Sequence, residues 1–223
     1  MPKKLALIHT ATMLAPRLTE LCQQAMPDVE VFNIGDESLL KNTIAAQQLT
    51  PTTYRRLAGY IESAEAAGAD AILVTCSSLG PAIEATRPLA NVPVLRIDQA
   101  MADQAVQMGA RIGVIATLST TLEPTIALVQ ARAAAQGRAV EVVSHLCEGA
   151  FDAVIAGDAE THDRLVSAGL AELMDRVDVI VLAQASMARV VDALPADKKR
   201  IPILSSPELG IDAAKQTMAT LNE

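Results

Sequence analysis

The sequence predicts an α/β fold of two pseudo-symmetric lobes, each a four-stranded parallel sheet flanked by helices. Short apolar runs alternate with longer helical patterns through all 223 residues, the pattern that βαβ units produce. The runs are continuously apolar, as in strands covered on both faces. The runs of the first half also recur in the second. Leu5-Ala-Leu-Ile-His-Thr10 pairs with Ile112-Gly-Val-Ile-Ala-Thr117, Asp70-Ala-Ile-Leu-Val-Thr-Cys76 with Asp178-Val-Ile-Val-Leu-Ala-Gln184, and Val92-Pro-Val-Leu95 with Ile201-Pro-Ile-Leu204. The spacings of 107, 108 and 109 residues are nearly constant, which marks a duplication rather than a solenoid.

In chain order, strands are expected at Leu5–Ile8, Val29–Ile34, Ala71–Val74 and Val92–Leu95, then at Ile112–Ile115, Val140–Leu146, Val177–Leu182 and Ile201–Leu204. Between them Thr52–Ala67, Glu123–Ala135 and Thr161–Arg176 carry apolar residues at three-to-four spacing and read as helices. Cys22 lies in an amphipathic pattern after Pro16 and reads as core. The lobe boundary is expected between Ile97 and Gly109, giving an N-terminal lobe over 1–100 and a C-terminal lobe over 101–207. A last helix over Glu208–Leu221, able to pack on either lobe, is assigned with residues 208–223 to the first.

Eighteen Lys and Arg against 26 Asp and Glu leave a net charge of −8, and aromatics are only 2% of residues. That composition argues against nucleic-acid binding, which needs positive charge for phosphates and usually rings for stacking. No apolar run approaches the roughly 18 residues of a membrane helix, and the short apolar stretch near the start does not make a signal peptide. Cys22, Cys76 and Cys147 form neither a disulfide framework nor a zinc pattern, so free thiols in a reducing cytoplasm are expected. No phosphate-binding loop, dinucleotide fingerprint or metal-ligand cluster is present in the sequence, so neither a cofactor nor a metal is expected.

Ligands of open α/β sheets bind beyond the carboxyl ends of the strands, where strand order reverses. Each lobe offers two segments there: Thr10-Ala-Thr12 and Cys76-Ser-Ser78 in the first, Thr117-Leu-Ser-Thr-Thr121 and Gln184-Ala-Ser186 in the second. If the lobes face one another about a pseudo-twofold axis, Cys76 and Gln184 occupy equivalent places on opposite walls of one cleft. The segments Val74-Thr-Cys-Ser-Ser-Leu-Gly80 and Leu182-Ala-Gln-Ala-Ser-Met-Ala188 resemble the paired motifs of the aspartate/glutamate racemase superfamily. That superfamily includes amino-acid and hydantoin racemases, maleate isomerases and arylmalonate decarboxylases. The resemblance implies two flavodoxin-like lobes, no cofactor, a small carboxylate or carbonyl substrate and a homo-oligomer of at least two chains.

Racemases of this kind move the proton beside a carbonyl with two cysteines, one on each face of the substrate. Cys76 matches the first, whereas Gln184 stands where the second is expected, in a segment similar to the hydantoin-racemase form Leu-Gly-Cys-Ala-Gly-Met. A carboxamide has no titratable proton near neutral pH. Cys76 is therefore the expected acid/base or nucleophile, favoured as thiolate by the helix start that Ser77, Ser78 and Pro81 write. Thr10, Ser77, Ser78, Thr117, Ala185 and Ser186 are expected to bind substrate oxygens, and Gln184 to orient the substrate. His9 could polarise Cys76 or be a satisfied histidine at the sheet edge, and Cys147 could be a displaced second thiol or a core cysteine. Asp36, Glu148, Arg96, Asp98, Ser205, Ser206 and Glu208 follow strand ends at the expected rim. The expected activity is that of a racemase or isomerase. A one-cysteine lyase or decarboxylase, arranged as a mirror of the arylmalonate case, and a non-catalytic ligand-binding member are the alternatives.

Overall fold

The computed structural model describes residues 2–221. Its first sheet contains β1 (Lys4–His9), β2 (Glu30–Gly35), β3 (Ala71–Val74) and β4 (Val94–Arg96), all parallel, in the order β2-β1-β3-β4. The helices between them are α1 (Ala15–Ala25), α2 (Glu37–Ala46), α3 (Pro51–Ala66) and α4 (Gly80–Thr86). After α5 (Gln99–Met108), the second sheet repeats the pattern. It contains β5 (Arg111–Ala116), β6 (Glu141–Leu146), β7 (Val179–Leu182) and β8 (Ile203–Leu204) in the parallel order β6-β5-β7-β8. Its helices are α6 (Ser119–Ala135), α7 (Ala150–Ile155), α8 (Ala159–Met174) and α9 (Ala188–Ala193), followed by α10 (Ser206–Thr220). The chain divides into one compact unit up to Ile97 that also takes the segment from Pro207 on, and a second over Asp98–Ser206.

Alternation along the strands decides what each face covers. In the first unit Ala6, Ile8, Ile72, Val74 and Cys76 pack with Leu57 and Ile61 of α3 and with Ile83 of α4. Leu5, Leu7 and Leu73 point the other way, to Leu18 and Cys22 of α1 and to Ile211, Ala214 and Met218 of α10. The last helix thus covers the first sheet. Gly210 permits this approach, because a Cβ there would collide with the Ile97 carbonyl. In the second unit Ile115, Ile180 and Leu182 pack under α8 and α9 with Val166, Leu170 and Val190.

Two boundary shifts have local causes. Pro93 and Pro202 lack an N–H, so β4 and β8 begin just after them, two residues later than expected, yet their carbonyls still accept from Ile72 and Ile180 at 2.9 and 3.0 Å. Helix α6 begins at Ser119 and runs through Pro124, four residues before the expected start at Glu123. One expectation is corrected: β2 and β6 are not buried on both faces but partly exposed along their length. They are edge strands, with a neighbour on one side only.

Candidate active site

The order β2-β1-β3-β4 reverses direction between β1 and β3, and the second sheet reverses between β5 and β7. At the first reversal Ile8 pairs with Val74; at the second, Ile115 pairs with Leu182. Two residues beyond each rung, on the same sheet face, stand Thr10 with Cys76 and Thr117 with Gln184. The duplication therefore places one threonine and one variable partner at equivalent points of both units.

Cys76 leaves β3 extended and begins the 3-10 turn Ser77–Leu79, which runs into α4. The Leu79 N–H closes the turn on the Cys76 carbonyl at 3.1 Å. Thr10, Cys76, Ser77 and Ser78 are all buried. Burial pushes the thiol above its ordinary value, because a thiolate loses its water. The Thr10 hydroxyl, the N–H groups of Leu79 and Ser78, and the Ser78 hydroxyl all donate to Sγ and oppose that rise. The expected easy thiolate is thus corrected: desolvation outweighs the turn, and the resting group is a thiol surrounded by donors that stabilise its anion. Ser78 is turned to the thiol.

Gln184 is bound into its own unit. Its Oε1 accepts from the Thr117 N–H at 2.6 Å and lies 3.1 Å from the Thr117 hydroxyl, while Nε2 donates to that hydroxyl at 2.9 Å. Ala185 is half-buried and Ser186 exposed, in the 3-10 turn Ala185–Met187. The first turn of α6 adds Thr120, a member of the Thr117–Thr121 segment that the sequence offers at this end of the sheet. Thr120 is buried, and its hydroxyl has no hydrogen-bond partner among the described residues, which costs free energy unless a ligand supplies one.

His9 is not placed with Cys76. Strand parity turns it to the opposite face, where Nε2 meets Asn33 Oδ1 at 2.7 Å and Nδ1 meets Thr75 Oγ1 at 2.9 Å. Burial pushes its pKa down, with the Asn33 bond acting against that. Cys147 directly follows edge strand β6 and lies within an apolar cluster with Ile115, Ala150, Val166 and Met187, and burial pushes its thiol up to about 11. Cys22, in the α1 core, is pushed up to about 11 by the same cause. Among the rim residues Asp36 caps α2, accepting from Ser38, Tyr60 and Arg56. Burial works against its ionisation, but these partners hold its carboxyl below the usual range. Glu148 and Glu208 are exposed, Ser205 is half-buried, and Arg96, Asp98 and Ser206 are buried.

Among the described residues no group of His, Cys, Asp and Glu side chains is arranged to hold a metal ion, and no helix is long and apolar enough to cross a membrane. The model of the Asp/Glu/hydantoin racemase family matches residues 8–214, a span that takes in both threonine pairs. The chain belongs to the Asp/Glu/hydantoin racemase family. Solved structures share the fold at low identity. Aspartate racemase from Picrophilus torridus superposes with a TM-score of 0.72 at 14% identity, over 97% of this chain and 94% of that one. Glutamate racemase from Francisella tularensis, solved with D-glutamate, gives 0.75 at 12% over 99% and 82%. Allantoin racemase from Klebsiella pneumoniae gives 0.64 at 20% over 99% and 89%. None of the curated proteins matches the sequence. As a member of this family the protein is an enzyme of the racemase and isomerase class.

Proposed function

We propose that this enzyme works without a cofactor at the carbon next to a carboxylate or carbonyl of a small acid, with Cys76 as its single proton-transfer group. The observation that supports this most directly is the set of four donors converging on a buried Sγ at the switch point, against a carboxamide at the equivalent point of the second unit. As base, the Cys76 thiolate takes the α-proton: the C–H bond breaks, S–H forms, and the electron pair remains on the substrate as an enolate. Return of the proton re-forms C–H and leaves the thiolate. Thr10, Ser77, Ser78, Thr117, Thr120, Ala185 and Ser186 are the proposed binders of substrate oxygens, with the partnerless Thr120 hydroxyl the best supported. Gln184 orients the substrate and transfers no proton. The enzyme is proposed to act in the cytoplasm as a homo-oligomer, which light scattering of the purified protein tests.

One observation favours a second reading, a lyase. A buried thiol held protonated is a ready acid, suited to protonating the enolate left when a substituted malonate loses carbon dioxide. Incubation of amino acids, hydantoins, maleate and substituted malonates in D2O, followed by NMR, separates the readings. Deuterium entering an α-position or a changed isomer supports the first, and loss of a carboxylate supports the second. Saturable binding with neither reaction overturns both in favour of a ligand-binding protein. Full turnover by Cys76→Ser removes the assignment to Cys76.

A further inference from the structure

Beneath the turn that carries Cys76 lies a buried charge. Arg96 ends β4 in register with Val74, so its side chain shares the sheet face that leads to Cys76. That side chain is 4% exposed, and its Nη1 lies 3.5 Å from Glu84 of α4. Its guanidinium lies against Gly80, so closely that a Cβ at residue 80 would sit 2.7 Å from Cζ and 2.8 Å from Nη1. Gly80 directly follows Leu79, whose N–H donates both to the Cys76 carbonyl and toward Sγ. The Gly80 N–H in turn bonds the Ser77 carbonyl. Gly80 has an ordinary right-handed helical conformation, so its lack of a side chain serves the guanidinium rather than the backbone.

We infer that Arg96 is a positioning residue for Cys76, its planar guanidinium seated on Gly80 as the floor that holds Ser78 and Leu79 N–H groups aimed at Sγ. An apolar side chain of similar length would fill the same space but would not lay a flat, hydrogen-bonding face against the Gly80 backbone. The retained charge and the missing Cβ are two halves of one contact. A lysine would not reproduce it, because an ammonium is a compact point charge with no flat face. The inference rests on the reading of Cys76 as the proton-transfer group, but its test addresses the thiol directly and needs no substrate.

The test is the pH profile of iodoacetamide labelling of Cys76, quantified by peptide mass spectrometry for the wild type, Arg96→Met, Arg96→Lys and Gly80→Ala, beside their melting temperatures. With the floor removed, two backbone donors lose their aim. The Cys76 midpoint is expected to move to higher pH by about one unit, the loss of roughly one charge-assisted bond, in Arg96→Met and Arg96→Lys alike. Gly80→Ala pushes the guanidinium aside and should shift the midpoint in the same direction, which keeps the question open to refutation if the Arg96 variants do not fold. An unchanged Cys76 midpoint in folded Arg96→Met or Gly80→Ala would overturn the inference, as would parallel acceleration of Cys22 and Cys147 labelling, which would mark Arg96 as a general packing residue. Catalytic failure of Cys76→Ser to lose turnover would undo the functional reading and leave the labelling result standing.

Discussion

Replacing Thr10 by Val isolates one of the four donors on Sγ. Valine keeps the shape and the burial, so the desolvation that raises the thiol stays in place and only the hydroxyl bond is lost. A hydrogen bond to a charged group contributes about 1.5–3 kcal/mol, and one pKa unit corresponds to about 1.4 kcal/mol. Thr10→Val should therefore move the Cys76 midpoint up by about one to two units and lower the thiolate fraction at neutral pH about 10- to 100-fold. The assay is the rate of iodoacetamide labelling of Cys76 across pH, read against Cys22 and Cys147 in the same sample. A proton-abstracting enzyme should lose turnover in proportion at neutral pH, whereas one that uses Cys76 only as an acid should not. An unshifted midpoint would refute the claim that Thr10 stabilises the thiolate, and the pairing at the switch point would then be packing alone.

Three other outcomes follow from the same geometry. Because burial depresses the His9 pKa below its ordinary value of 6.5, the unfolded chain binds this proton more readily; stability should be full above about pH 6.5 and fall as pH drops through the lower folded value, and His9→Gln should flatten that part of a melting-temperature profile. Cys147→Ala should keep most of the activity, and Cys147 should label appreciably only near its pKa of about 11; a loss matching that of Cys76→Ala would show two-thiol chemistry. Gln184→Ala strips the Thr117 N–H of its acceptor and should cost about 1–3 kcal/mol in denaturant unfolding, with no change at all arguing that the amide is not the structural partner.

Both sheets were legible because central parallel strands must be apolar on both faces, and β1, β3, β5 and β7 are. The edge strands β2 and β6 are not, and their runs alone do not reveal which side lacks a neighbour. The start of α6 was hidden by Pro124, which reads as a helix beginning but lies in the second turn. Cys76 and Gln184 stood out through the repeat, and so in principle did their partners, since Thr10 and Thr117 end the pair of runs repeated at an offset of 107. His9 was ambiguous for want of one argument: alternation along β1 sends it to the face opposite Thr10, and only a partner strand in place brings Asn33 to it. The thiol's direction depended on burial, a property of tertiary packing that no local motif records.

One backbone plan, used twice, puts a thiol at the switch point of one unit and a carboxamide at that of the other. The Thr10–Cys76 pair and the Thr117–Gln184 pair occupy the same points beyond the same rungs, but the carboxamide of Gln184 is engaged with Thr117 and has no proton to give or take near neutral pH. A single acid/base that removes a proton from one face of a carbon returns it to that face. In D2O the enzyme should exchange the α-proton of one enantiomer with retention, or deliver one product enantiomer from a prochiral acid, much faster than it racemises. Chiral chromatography combined with NMR of the deuterated product reads both quantities in one experiment. Rapid, symmetric racemisation of both enantiomers would sink the one-base scheme and require a second titratable group, either Cys147, whose thiol burial pushes up to about 11, or another residue.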